Sequence, residues 1–206
     1  MPLDGYGSSG ERELQERYGT TDRAERFYDE QVLDRLNSKM IEFVKARDMA
    51  FIATADRHGE CDSSFRAGKP GFLHIIDDHT LAYPEYRGNG VMASMGNISE
   101  NPHIGIMLID FTEELIGLHI NGTARIVEEY ILRRSVPDLP VNERGKVAEH
   151  WIVVDVVEAY IHCRKHIPRL VPAERQPREW GTDNVRAKGG DYFGAKSESR
   201  ELVTGS

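Results

Sequence analysis

LAYPEYRGN, residues 81–89, runs from a β-type stretch into a compact cluster of aromatic, arginine, glycine and asparagine residues. Leu81, Ala82 and Tyr83 suit a strand, and the run stops at Tyr86, Arg87, Gly88 and Asn89. Arg87 offers a planar, permanently charged fork to phosphate oxygens, Gly88 lets a ligand approach the backbone, and Asn89 adds an amide without adding charge. The next residues, Gly90 to Ser99, read as a helix whose N-terminal dipole would favour the same anion. The expectation is an anion site where a strand gives way to a helix.

Working outward, short β-prone runs recur between Gly, Pro, Asn and Asp: MAFIATAD (49–56), GFLHIIDD (71–78), HTLAYP (79–84), HIGIMLIDF (103–111), IGLHINGTARIVEE (116–129) and WIVVDVVEAYIHC (151–163). The last alternates β-branched residues with acids and predicts a strand half exposed to water. Asp77 and Asp78 read as a hairpin turn, and Glu128 and Glu129 as the start of a short helix. Six strands with few helices between them predict a mainly β domain with flanking helices, closed as an antiparallel barrel, and disfavour alternating βα units. No GxGxxG is present. Ile104, Ile106, Leu108, Leu118 and Ile120 alternate along two of these runs, and could fill a barrel interior or an isologous patch between copies.

Residues 1–47 read as a charged arm and a helix. Leu33, Leu36, Met40, Ile41, Phe43 and Val44 recur at helical spacing and predict a helix beginning near Asp34 that packs on the body. Residues 48–170 form the expected β domain. Residues 171–206 read as a C-terminal arm, fraying from Gly189 to Ser206.

The 206 residues suit one core, and the formal charge of −8 argues against a general nucleic-acid binder. Cys61 and Cys163 lie far apart in no CxxC pattern and read as reduced thiols. With no long apolar run and no basic start before an apolar core, the chain is expected in the cytoplasm and not in a membrane. Eight histidines invite a metal reading. Their spacing, with His74, His79, His119, His150, His162 and His166 scattered, forms no HExxH or comparable ligand set, so none is expected. A hydrolase reading fails for want of a GxSxG elbow, and no protein acid or base stands out.

The order FIATADRHGECDSSFRAGKPGFLHIIDDHTLAYPEYRGNG (51–90), NPHIGIMLIDF (101–111), LHINGTARIVEE (118–129) and a late IHCRK (161–165) resembles the pyridoxamine 5'-phosphate oxidase-like FMN-binding split-barrel superfamily, and within it a group of FMN-dependent proteins of unassigned substrate. The resemblance spans about Met49 to Lys165. It implies a six-stranded antiparallel split barrel that works as a homodimer, with FMN in clefts between subunits. It also implies that Tyr86, Arg87, Gly88 and Asn89 hold the FMN phosphate. The serine and lysine usual in that motif are missing, so a second cation is needed, because a buried phosphate requires several donors. Arg66 and Lys165 are the candidates. Ser63 and Ser64 could donate hydroxyl hydrogen bonds, and Phe65 and Arg66 fall where the family runs its chain past the flavin.

The implied activity is that of an FMN-dependent oxidoreductase on a small organic substrate, with a nicotinamide as a possible donor and the electron chemistry left to the cofactor. Arg164, His166 and Arg169 in HCRKHIPRL do not reproduce the family's pyridoxal-forming pattern. The alternatives are a flavin or heme binding and storage protein on the same barrel, with His166 as the heme candidate, and an enzyme that uses a deazaflavin.

Overall fold

In a computed structural model, the described residues are 5–86, 88–140, 147–173, 184, 186 and 189–195. They form one antiparallel sheet flanked by helices, in the order α1 (Ser9–Tyr18), α2 (Thr21–Gln31), β1 (Val32–Leu33), α3 (Ser38–Ala46), β2 (Met49–Ala55), β3 (Cys61–Ala67), β4 (His74–Ile75), β5 (Thr80–Tyr86), α4 (Ala93–Glu100), β6 (His103–Ile109), β7 (Gly117–Glu128), α5 (Glu129–Ser135) and β8 (Ala148–His162). The strands lie in the order β3-β2-β6-β7-β8-β5-β4, with β1 added on β8. This is the mainly β architecture with flanking helices that the sequence predicts, in two respects altered. The sheet has eight strands, two of them only two residues long, and no ladder among the described residues joins the edge strands β3 and β4. The six long strands include β3, which is absent from the β-prone runs read in the sequence, while GFLHIIDD contributes only His74–Ile75.

β8 organises the curl. Its first half pairs with β5, from Ala148–Tyr86 to Asp155–Thr80, while β1 takes the same edge further along at Ala159 and Tyr160. β7 covers its other edge throughout. Between the halves the register slips, Asn121 facing Glu158 and Gly122 facing Val156, so that Val157 is an extra residue. Such a bulge bends a strand and reverses which parity faces inward. Ile152, Val154 and Val156 therefore point into the barrel before the bulge, and Ala159 after it. Gly122 is required there: a Cβ would lie 2.2 Å from the Asp155 carbonyl oxygen.

The interior core joins Ile52, Leu81, Tyr83, Ile104, Ile106, Leu108, Leu118, Ile120, Ile152 and Val154, with α3 adding Val44 and α4 adding Ile98. This settles the alternating residues of β6 and β7 as barrel interior, and each fully buried Leu or Ile contributes about 1.5–3 kcal/mol over an exposed one. A second cluster, Ala82, Leu132, Leu139, Ala148, Trp151 and Val153, lies on the outer side beneath α5. Residues 151–154 are consequently buried on both faces, and the half-exposed strand expected from alternation holds only beyond Asp155.

The N-terminal arm also departs from expectation. The helix predicted from Asp34 begins at Ser38, because the Asn37 side chain caps it by accepting from the Met40 N–H at 3.0 Å. Val32 and Leu33 are instead a strand against β8. Two further helices precede them. α1 carries a capping box, Ser8 with Glu11, and ends at Gly19 in the left-handed conformation (φ 64°).

Between β6 and β7, Asp110 organises a tight loop. Its carboxylate accepts from the backbone N–H groups of Thr112, Glu113 and Glu114 and from the Thr112 hydroxyl, and it meets Arg47 Nη1 at 3.0 Å. Burial alone would raise its pKa, but these hydrogen bonds outweigh it and hold the carboxyl well below its ordinary 3.8. The segment after β8 docks on the loop, with Leu170 N–H donating to the Phe111 carbonyl and Arg169 Nη1 to that of Thr112.

Two measurements check this account. Gly122→Ala is expected to lose about 2–3 kcal/mol in urea unfolding, since the added methyl forces the bulge apart. A carboxyl whose folded pKa is depressed stabilises above its unfolded pKa and loses that stabilisation as pH falls below it. Asp110→Asn should thus be less stable than the wild type at about pH 6, with the gap closing toward about pH 3; a constant gap would assign Asp110 a role independent of its charge.

Candidate functional site

β3 is an edge strand, paired only with β2, and its alternation sorts the predicted residues onto two faces. Asp62, Ser64 and Arg66 share one face and are partly buried. The Ser64 hydroxyl donates to Asp62 Oδ2 at 2.8 Å, and the Ser94 hydroxyl of α4 reaches the same oxygen at 3.3 Å. Ser64 and Ser94 are themselves 2.9 Å apart, and Ser94 is buried. One carboxylate thus gathers the hydroxyls of an edge strand and a helix start.

Arg66 extends the cluster across the mouth of the barrel. Its Nε and Nη2 donate to Glu85 Oε1 at 3.0 and 2.5 Å, tying β3 to β5, which share no ladder. The two side chains are 22% and 12% exposed, so the pair is screened far less than a surface bridge. Arg66 Nη2 also approaches the Ser94 hydroxyl at 3.5 Å. Behind the pair, the fully buried Tyr83 hydroxyl has no hydrogen-bond partner among the described residues. Burial, and after it the charge of Glu85, pushes that hydroxyl's pKa up, with Arg66 opposing.

The loop after β5 leads into α4. Arg87 lies outside the described residues. Tyr86 ends β5 and is half-buried. A side chain at Gly88 would meet nothing within 4 Å, so packing within the chain does not demand glycine there. The Asn89 side-chain carbonyl accepts from the Val91 N–H at 3.0 Å, which leaves its NH₂ for other partners. Met92 then takes a left-handed conformation (φ 56°) and gives α4 no side-chain cap. The first-turn N–H groups of α4, beside Ser94, are donors without a cap.

The remaining predicted residues lie elsewhere. Ser63 and Phe65 occupy the opposite face of β3, where Phe65 is 54% exposed and packs on Phe51 with ring centroids 5.6 Å apart. On that face a row runs in register across the sheet: Phe65, Phe51, Met107, His119, Tyr160 and Val32. His119 stacks on Tyr160 at 4.8 Å and its Nε2 lies 3.0 Å from His162 Nδ1; burial first, then His162, lowers the His119 pKa. Lys165 follows β8 and is exposed, sharing no hydrogen bond with the Asp62–Arg66 cluster. Its neighbour Arg164 pairs with Glu114. A cleft of about 460 Å³ under α1 and α2, lined by Arg23, Phe27, Tyr28, Glu158 and Tyr160 among others, shares no residue with the cluster. Among the described residues no group of three or more His, Cys, Asp or Glu is arranged to hold a metal ion, and no helix is long and apolar enough to cross a membrane.

Sequence reasoning missed Asp62, Tyr83, Glu85 and Ser94. The signal for Asp62 was the period of two that joins it to Ser64 and Arg66, readable once 61–67 is taken as a strand. Glu85 stood inside LAYPEYRGN, two residues from Tyr83 on the same face. Nothing local marks Ser94, whose role depends on α4 crossing β3.

Several solved structures align with the chain at low identity. HupZ of group A Streptococcus is 23% identical over 59% of this chain and 89% of its own (TM-score 0.43). HutZ, a heme storage protein from Vibrio cholerae, is 18% identical over 62% and 95% (0.41), and General Stress Protein 26 from Bacillus anthracis 16% over 60% and 91% (0.41). No curated protein sequence matches the chain. The sequence pattern of the family described as pyridoxamine 5'-phosphate oxidase matches residues 36–163, from the approach to α3 to the end of β8 and so through the strands and α4 that build the cluster. The chain belongs to the pyridoxamine 5'-phosphate oxidase family.

Proposed function

We propose that the protein is an FMN-dependent oxidoreductase acting on a small organic substrate as a homodimer. The observation that carries this reading is the uncapped start of α4 beside Ser94 and Arg66, directly after the YRGN loop. Backbone N–H groups aimed from a helix start, a hydroxyl and a guanidinium are the donor set that a phosphate monoester needs. In this reading those groups, with Arg87 from the loop, hold the phosphate. Gly88 gives the ligand room, and the free NH₂ of Asn89 adds a neutral donor. FMN would supply the redox chemistry through its ring, accepting a hydride from the substrate or a nicotinamide and passing electrons on. The chain's own part is to bind, orient and shield that ring. Ser63, on the opposite face of β3, and Lys165, after β8, contribute only if a second copy brings them to such a site.

The second copy is expected on the outer face of the sheet. The Phe65–Phe51–Met107 row is apolar, flanked by Ala53 and Gly105 in the next row, and Phe65 is half exposed. A face of this kind on a protein that also buries its barrel core suits an isologous interface.

The first experiment is an absorbance spectrum of freshly purified protein, with the released chromophore identified by mass. Stoichiometric FMN that bleaches on addition of a reduced nicotinamide and recolours in air supports the proposal. A heme spectrum, or bound flavin that never turns over, favours the storage alternative; colourless protein that takes up only a deazaflavin favours that cofactor. Arg87→Ala is expected to weaken FMN binding at least tenfold, the scale of one lost charged hydrogen bond, without altering oligomeric state. Phe65→Asp should instead convert the dimer to monomer in light scattering, and a dimer that survives this change does not use this face.

A further inference from the structure

Among the described residues, the cation beside the α4 start is already taken. The Nε and Nη2 edge of Arg66 donates to one oxygen of Glu85, its Nη1 donates to the Phe65 carbonyl at 3.3 Å, and the Arg66 and Glu85 side chains are largely withdrawn from water. Asp62 stands on the same side of β3, its carboxylate occupied by the Ser64 and Ser94 hydroxyls. The cluster among the described residues therefore holds two carboxylates and one guanidinium. A phosphate dianion beside the α4 start would face Glu85 across Arg66. Like charges repel more strongly in a partly buried site than in water, and a guanidinium edge that serves one anion is not open to a second.

We propose that Glu85 is a built-in competitor for the anion site: it holds Arg66 across the barrel mouth when the site is empty, and ligand phosphate must take Arg66 from it. This rests on the phosphate being held at α4 as proposed above, and it concerns how that site is regulated. Glu85 acts here as a positioning residue, setting what fraction of molecules offers a free guanidinium. The apparent affinity is the intrinsic affinity multiplied by that fraction. If the bridged form outnumbers the open one by about ten to one, the competitor weakens phosphate binding about tenfold. The bridge also links β3 to β5, so occupancy of the site and closure of the mouth become one equilibrium.

Glu85→Gln removes the charge and keeps the shape. The expected result is an FMN dissociation constant about tenfold lower than the wild type's by flavin fluorescence titration, with riboflavin, which lacks the phosphate, bound equally by both. A structural bridge or a direct ligand role for Glu85 predicts the opposite, weaker FMN binding in the variant, and that outcome or an unchanged constant overturns the proposal. If neither protein binds FMN, the flavin reading fails separately, and inorganic phosphate becomes the probe. A larger rise in melting temperature with phosphate for Glu85→Gln upholds the competition, and an equal rise or none overturns it. Glu85→Thr, suited to a strand, repeats the comparison should the glutamine variant not fold. In the wild type, a crystal structure with FMN or phosphate bound must have Arg66 released from Glu85; a retained pair on the same oxygen overturns the proposal.

Discussion

The ladder between β7 and β8 is the constraint on which the molecule depends. It is the longest pairing in the sheet, from Gly117–His162 to Glu128–His150, and every other long strand reaches it directly or through one or two neighbours. Because β8 bulges at Val157, its two halves aim at different partners, β5 on one stretch and β1 on another. That bend brings β5 round until Glu85 faces Arg66 on β3, at the far edge of the strand order. The polar cluster is therefore a product of sheet curvature. No two of its strand segments need be neighbours in the ladder for their side chains to meet.

Much of the architecture could be read from local pattern. β2, β5, β6, β7 and β8 announce themselves by β-branched and aromatic runs bounded by turn residues, because each buries at least one face in the barrel. Misreadings arose where burial and pattern part company. β3 carries Cys, Asp, Ser and Arg, since an edge strand buries little and its inward face lines a polar cluster; propensity alone does not find such a strand. α1 and α2 have no buried residue, so no apolar stripe marks them, although the Ser8–Glu11 capping box does. The N-terminal half of β8 is covered by α5, and tertiary packing of that kind leaves no trace in the strand's own alternation beyond its high apolar content.

The site was legible in part, and for a similar reason. A loop between strand and helix is a local device, so the end of β5 at Tyr86 and the helix that follows could be read from LAYPEYRGN and its neighbours alone. Partners assembled by long-range contact could not. Ser64 and Arg66 were selected by resemblance, whereas Asp62 and Ser94, which hold them, become visible only when α4 is laid against β3. Ser63 and Phe65 were grouped with their neighbours because a linear motif does not record that adjacent strand residues point to opposite sides.

The position of β8 near the end of the sheet's order of synthesis has a consequence for how the chain reaches this fold. β1, β5 and β7 all pair with β8, and among the described residues β1 has no other strand partner. Until residues 148–162 leave the ribosome, β5 and the full length of β7 each present an open edge, and Leu81, Ala82 and Tyr83 lack the cover of their β8 neighbours. The nascent chain thus carries a four-stranded β3-β2-β6-β7 sheet and a separate β4–β5 hairpin that β8 joins together. Exposed apolar edges at that stage are templates for wrong pairing. The window in which this protein is vulnerable to aggregation closes with the emergence of a single strand.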